Sequence, residues 1–258
     1  MSKKIYLSYA KVNIFLKIVG TRGIYHEIVS RFVLHKELHD KMWFDKGNGE
    51  TFEVVGDFGC DRKDNTIYKA LLALTDFLPS KHIIEFCKNN KVIVYKKIPA
   101  FAGLGGGSSN AATFLHMLND TLNLGISVDD LAGIGAKVGA DVPFFVYRYK
   151  SANVRGIGEI VEEVEDDEIP PIELITPAIR CETPEVYKTF RRNFITTLEP
   201  EFAEGLAGMK TADILERFDP IELNDLFRAV LKKYPEFYEY NDGRWFLSGS
   251  GSSVFKVT

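Results

Sequence analysis

Residues 99–113 read PAFAGLGGGSSNAAT, with four glycines in five positions and then two serines, an asparagine and two alanines. Glycine permits positive φ and lets a ligand touch the main chain. A helix N-terminus supplies unpaired N–H groups and a partial positive charge. A glycine loop feeding a helix is therefore a phosphate cradle. Gly103, Gly105, Gly106 and Gly107 would form it, with hydroxyls from Ser108 and Ser109 for phosphate or magnesium. The plain alternative is a tight strand-to-helix turn. Three familiar patterns fail on spacing: GxxxxGK[ST] lacks its lysine, GxGxxG meets Ser108 where glycine is required, and GxSxG meets Asn110.

Lys11 and Asn13 lie two apart in SYAKVNIFLKI (8–18), so on a strand they share a face. Asp141 stands in GADVPFFV (139–146), where an aspartate by itself is more often a cap or turn residue than a base. Tyr25 and His26 follow a glycine turn. An aromatic face there can stack on a nucleobase, and an imidazole can bond its edge. His35 and His39 are four apart, a ligand spacing on a helix. Their stretch reads as a strand, on which four residues span about 13 Å, too far for one metal.

The elements that must position these groups follow from periodicity. Residues 5–19 and 27–45 are β-rich, separated by the turn TRGIYH. A helix is expected behind the polar run DRKDN, from Ile67, Ala70, Leu71 and Leu74. KVIVYKKI (91–98) is a strand ended by Pro99, and a helix runs from Ser108 through Ala111, Leu115, Leu118 and Leu122. SVDDLAGIGAKVG is a helix capped by Ser127 with Asp130 three residues on. VPFFVY (142–147) reads as a strand. The acidic stretch 159–168 reads as a solvated hairpin or loop. IELITP is strand-like, PEVYKTF starts a helix behind Thr183, and RWFLSGSGSSVFKVT reads strand–glycine loop–strand.

The 258 residues, 45% hydrophobic and 26% charged, suit one large domain or two modest ones, and a boundary falls near 148–153. A net charge of −4 gives no basic field for nucleic acid. Three scattered cysteines make neither a metal motif nor a disulfide framework. No run approaches the length of a membrane span, and the N-terminus is a poor signal peptide, so a cytoplasmic protein with no membrane partner is expected.

The loop PAFAGLGGGSSNAA resembles the phosphate loop of the GHMP kinases. SYAKVNIFLKI, GADVPFFV and LSGSGSSVF (247–255) resemble that family's lysine–asparagine strand, aspartate motif and C-terminal glycine loop, in the same order. Where the family usually carries Asp-Gly-Tyr-His, this chain has Gly23-Ile24-Tyr25-His26. The resemblance implies an α+β, two-lobed fold: an N-terminal lobe like ribosomal protein S5 over 1–150 carrying the ATP loop, and an abridged C-terminal lobe over 151–258. It implies ATP as phosphoryl donor with Mg2+. Pro99, Ala100, Phe101, Ala102, Gly103, Leu104, Gly105, Gly106, Gly107, Ser108 and Ser109 would line ATP, Asp141 would be the base and Lys11 the neighbouring cation. Asn13, Tyr25, His26, Thr183 and Tyr187 would hold the acceptor, and Gly249, Ser250 and Gly251 would close over the phosphates.

The triple-glycine loop is most similar to the branch that phosphorylates the 2-hydroxyl of 4-diphosphocytidyl-2-C-methyl-D-erythritol, a cytidine diphosphate alcohol of non-mevalonate isoprenoid synthesis. A family member acting on another small alcohol, homoserine or mevalonate, and a non-catalytic nucleotide-binding module are the rival readings. Tyr25-His26 argues against the first, and the presence of both Lys11 and Asp141 against the second.

Overall fold

The computed structural model describes residues 3–196 and 198–258. In chain order, β1 (Tyr6–Arg22), β2 (Tyr25–Lys46) and β3 (Val54–Val55) precede α1 (Thr66–Phe77), α2 (Lys81–Asn89) and β4 (Asn90–Tyr95). Then come α3 (Gly106–Leu122), α4 (Val128–Ala136), α5 (Val142–Tyr147), β5 (Ser151–Arg155), β6 (Ile160–Glu163) and β7 (Ile172–Ile175). The chain finishes with α6 (Thr183–Asn193), α7 (Pro200–Ala207), α8 (Thr211–Arg217), α9 (Pro220–Leu223), α10 (Asp225–Lys233), a 3-10 turn (Pro235–Tyr240), β8 (Phe246–Leu247) and β9 (Val254–Val257).

The fold is α+β and divides into two compact units. The first holds the residues up to Ala10, His35–Ala100 and Gly105–Arg148. The second holds Lys11–Leu34, Phe101–Leu104 and Tyr149–Thr258. The chain leaves the first unit for the last time at Arg148, two residues before the boundary placed at 150. The second unit also takes in a stretch of each long strand and the front of the glycine loop.

In the first unit β4 pairs antiparallel with the far end of β2, Trp43 opposite Ile93, and parallel with β3. Helices α1, α3, α4 and α5 pack on one another there. Asn65 caps α1 through the Ile67 N–H, and Ser127 caps α4 through Asp130, as its spacing predicts. In the second unit the near end of β2 pairs with β5, Phe32 opposite Ala152, and β5 with β6. A separate sheet runs β7-β9-β8. Its core gathers Val186 and Phe190 of α6 with Leu226, Phe227, Val230 and Leu231 of α10. Full burial of each of these large side chains contributes roughly 1.5–3 kcal/mol.

Three expectations are corrected. VPFFVY is helix α5, not a strand. Pro143 at its start pre-sets a helical φ, and five consecutive buried residues, Val142 to Val146, carry no period to tell helix from strand. Helix α3 starts at Gly106, two residues before Ser108, so Gly106 and Gly107 are its first turn. Of the loop's four glycines, Gly103 (73°) and Gly105 (69°) take positive φ. The acidic stretch 159–168 is not wholly solvated: Asp167 is buried. It accepts from Ser151 Oγ at 2.5 Å, from Thr211 N at 2.8 Å and from the fully buried Arg31 at 3.2 Å. The rest of the Arg31 guanidinium is satisfied by Asn153 and the Ala207 and Met209 carbonyls. Burial pushes the Asp167 carboxyl up, but its hydrogen bonds and the Arg31 charge outweigh that and hold it below its ordinary 3.8.

Candidate active site

Three successive carbonyls of the glycine loop are bonded within the second unit. Ala102 O accepts from Ser253 N at 3.0 Å, and Leu104 O from Lys11 N at 3.0 Å. Gly103 O accepts from Lys11 Nζ at 3.0 Å and from Ser248 Oγ at 3.1 Å. A Cβ on Gly103 would lie 2.1 Å from Ser248 O, so only glycine fits this crossing. Lys11 Nζ also donates to Asn13 Oδ1 at 2.5 Å and lies 4.5 Å from the centre of the Phe32 ring. Asn13 is fixed in turn: its Nδ2 donates to Ser30 Oγ at 3.0 Å, and its N–H to Ser248 Oγ at 3.3 Å. Lys11 and Asn13 do share a strand face, and that face meets the glycine loop.

The C-terminal glycine loop is held from beneath. Asn224 caps α10 by accepting from Leu226 N, while its Nδ2 donates to Leu247 O and Gly249 O, both at 2.9 Å. Asp225 beside it accepts from Lys17 Nζ at 2.5 Å and from Ile18 N at 2.7 Å. The Asn224-Asp225 pair therefore ties the loop and strand β1 to one helix end. Burial pushes the Asp225 carboxyl up despite Lys17.

In the first unit the remainder of the glycine loop opens α3, with Gly105 in the left-handed N-cap position. Its anchor is buried and polar. Asn110 Nδ2 donates to Asp40 Oδ2 and to Ser8 Oγ, both at 2.8 Å. Asp40 accepts from Lys96 Nζ and from the backbone N–H groups of Lys97 and Ile98. Ser109 is buried, and its Oγ accepts from Ser8 at 2.8 Å, whereas Ser108 is half-buried in the first turn. Thr66 Oγ1 donates to Gly107 O at 2.6 Å. Asp141 occupies the N-cap position of α5, and its side chain makes no capping bond to that helix. Pro99 and Ala100 end this unit's segment before the loop crosses. Phe101 has φ 57°, and the Arg180 guanidinium lies 4.3 Å from its ring centre.

The acceptor candidates gather in the second unit around His26. The β1–β2 turn places positive φ on Gly23 (62°) alone, the pattern of a type II′ hairpin, and Tyr25 and His26 then alternate across strand β2. Tyr25 is 57% exposed, whereas His26 is buried. The His26 ring stacks on Tyr187, with centroids 5.1 Å apart and planes at 29°. Phe190 meets it edge-on at 6.2 Å. Arg191 Nε donates to His26 Nε2 at 3.3 Å, and Arg191 Nη2 to Ile24 O at 3.0 Å. Burial first, then the Arg191 charge, lowers the His26 imidazole below its ordinary 6.5 and keeps it neutral. Thr183 Oγ1 lies 2.8 Å from Ser250 Oγ, joining the start of α6 to the C-terminal glycine loop.

Residues 65–149 match the GHMP kinases N terminal domain. A protein of Sulfurimonas denitrificans named 4-diphosphocytidyl-2-C-methyl-D-erythritol kinase is 49% identical, over 100% of this chain and 98% of its own length. A Sulfurovum protein of the same name is 43% identical, over 97% of each chain. The chain belongs to the 4-diphosphocytidyl-2-C-methyl-D-erythritol kinase family. A crystal structure of a 4-(cytidine 5'-diphospho)-2C-methyl-D-erythritol kinase superposes with a TM-score of 0.73 at 26% identity, covering 99% of this chain and 90% of that one. The α+β GHMP-kinase fold and the ATP-dependent phosphotransferase class follow from this membership.

In this member of the kinase family, the structure brings Lys11, Asn13 and Gly103 together, and separately His26 with Tyr187. Gly105, Gly106, Gly107, Ser108, Ser109 and Asp141 lie in the other unit. The sequence did not point to Ser30, Ser248, Asn224, Phe190 or Arg191. The last two were legible in principle: Tyr187, Phe190 and Arg191 are i, i+3 and i+4 on one helix and must share a face. Ser30 and Asn224 carried no such signal, because their partners are distant in the chain. Among the described residues no helix is long and apolar enough to cross a membrane.

Proposed function

We propose that this protein transfers the γ-phosphoryl group of ATP to the 2-hydroxyl of 4-diphosphocytidyl-2-C-methyl-D-erythritol. The observation that carries the proposal is the Lys11–Asn13–Gly103 cluster: Lys11 Nζ donates to Asn13 Oδ1 and to Gly103 O, beside a backbone that admits no side chain. Phosphoryl transfer needs positioning and charge neutralisation more than covalent chemistry. The hydroxyl proton passes to Asp141 as the oxygen attacks the γ-phosphorus, and ADP leaves. Lys11 neutralises charge on the transferring group.

The glycine loop from Pro99 through Ser108 cradles the ATP phosphates, with Ser109 buttressing it through Ser8. Gly249, Ser250 and Gly251 close over the phosphates. Tyr25, His26, Tyr187 and Thr183 hold the cytidine, and Asn13 lies nearer the reacting group. Residues 1–150 form the ATP-loop domain and 151–258 the C-terminal domain, in a protein working in the cytoplasm without a nucleic-acid partner.

Magnesium is a hard cation that takes oxygen ligands. The half-buried Ser108 hydroxyl suits it, with the ATP phosphates supplying the other oxygens. Bound there it would shield phosphate charge.

An acceptor panel with ATP and magnesium tests the reading. Turnover should require the cytidine-bearing alcohol. Preference for homoserine or mevalonate would assign another small-alcohol kinase, and no acceptor-dependent ATP consumption would leave a nucleotide-binding module.

A further inference from the structure

We infer that Arg191 is a positioning residue that fixes the tautomer of His26, so that the imidazole presents a hydrogen-bond donor to the acceptor's base. The inference rests on the proposed function for the identity of that base and on geometry for the rest.

A guanidinium can only donate. Arg191 Nε, 3.3 Å from His26 Nε2, therefore requires that nitrogen to carry a lone pair and not a proton. A neutral imidazole then holds its proton on Nδ1. Among the described residues Nδ1 has no hydrogen-bond partner. Among the described residues the fully enclosed side-chain atoms without a hydrogen-bond partner are Tyr6 Oη and Trp43 Nε1, so Nδ1 is not fully enclosed. The Nδ1–H consequently reaches solvent, although most of the ring is covered by Tyr187 and Phe190. It is a pre-oriented donor on a flat, half-enclosed ring, matched to a lone pair on the edge of a heterocycle such as O2 or N3 of cytosine.

Arg191 acts on the same spot a second way. Its Nη2 holds Ile24 O, one residue before Tyr25, and so fixes the turn from which both aromatic residues leave. The residue sits on the exposed side of α6, so its replacement spares the core. Being cationic, it also opposes protonation of the ring, which would otherwise restore a donor on both nitrogens.

The test uses the full chain with 15N-labelled histidine, and His26→Asn to assign the signals. In the unsubstituted protein at neutral pH, the His26 Nδ1 resonance should fall in the protonated range and Nε2 in the lone-pair range. In Arg191→Leu the two tautomers should mix. The KM for the cytidine-bearing acceptor should rise about 2- to 12-fold, the worth of one ordinary hydrogen bond. The loss should lie in that KM rather than in kcat, and the KM for ATP should stay put. A proton on Nε2 in the unsubstituted protein, or an Arg191→Leu protein with unchanged tautomer and unchanged acceptor KM, would overturn the inference. If the unsubstituted protein does not use a cytidine-bearing acceptor, the functional reading falls, while the resonance assignment still judges the tautomer by itself.

Discussion

Asp141 and Lys11 are given different tasks, and substitution separates them. Asp141→Asn keeps size and polarity but cannot accept a proton. We expect ATP binding to survive and turnover to fall on the order of 10²–10⁴-fold, the usual worth of a general base. A near-normal kcat in the folded variant would remove Asp141 from that role. Tyr25, more than half exposed and proposed to hold the base, should act in binding alone. Tyr25→Ala should raise the acceptor KM by about 5- to 150-fold, a stacking contact's worth, with ATP affinity unchanged. An unmoved acceptor KM would mean that the base stacks elsewhere. That Lys11 and Asn13 share a strand face was legible in the sequence because two-residue alternation is local. Ser30, which holds Asn13, was not, since nothing in a serine on a β-rich run announces its partner seventeen residues back.

At the scale of elements, the glycine loop is two different structures joined at Gly105. Residues 102–104 form a bonded crossing, and residues 106–109 a helix start. The glycines therefore differ in tolerance. Gly103→Ala combines positive φ with a Cβ 2.1 Å from Ser248 O. It should lower stability by at least about 1–2 kcal/mol and weaken ATP binding. At Gly107 a Cβ meets Thr66 only at 3.5 Å, and the residue is helical. Gly107→Ala should hold or raise stability by about 0.5–1 kcal/mol. Paired melting and ATP-titration curves decide it: equal effects at the two positions would contradict the crossing. The loop's presence was visible in composition, but its division was not, because four glycines look alike until their neighbours are known. The same limit turned VPFFVY into a strand on paper. Its burial leaves no apolar period to read, and its one local cue is Pro143 in the first helical turn.

For the whole molecule, the Arg31–Asp167 pair commits two opposite charges to the interior. Arg31→Met strands the carboxylate and should cost about 3–5 kcal/mol in denaturant unfolding. A loss under 1 kcal/mol would show the pair to be dispensable. The pair also contributes to the acid limb of stability. Asp167 titrates below 3.8 when folded, so its contribution is complete above that value and fades as pH falls through the folded pKa. Thermal scans below pH 4 should show the unsubstituted protein losing stability more steeply than Asp167→Asn, which begins lower at neutral pH. A parallel decline would place the acid sensitivity elsewhere. Neither residue stood out in the sequence. Asp167 was hidden among surface acids, and a buried arginine shows only when its acceptors from three distant segments are assembled.

The stitching of carbonyls 102–104 has a consequence for the order in which the protein is made. Its partners are Lys11, present from the start of synthesis, and Ser248 and Ser253, which emerge from the ribosome more than 140 residues after the loop they bond. Until then Ala102 O lacks its backbone donor, Gly103 O lacks one of its two, and Asn224 has neither carbonyl of the closing loop to hold. On the proposed reading of this loop, nucleotide binding waits for those contacts. A chain stalled before Ser248 carries every glycine of the phosphate loop and still holds it unfinished, dependent on whatever shields a β-rich nascent chain through the long wait for a distant contact.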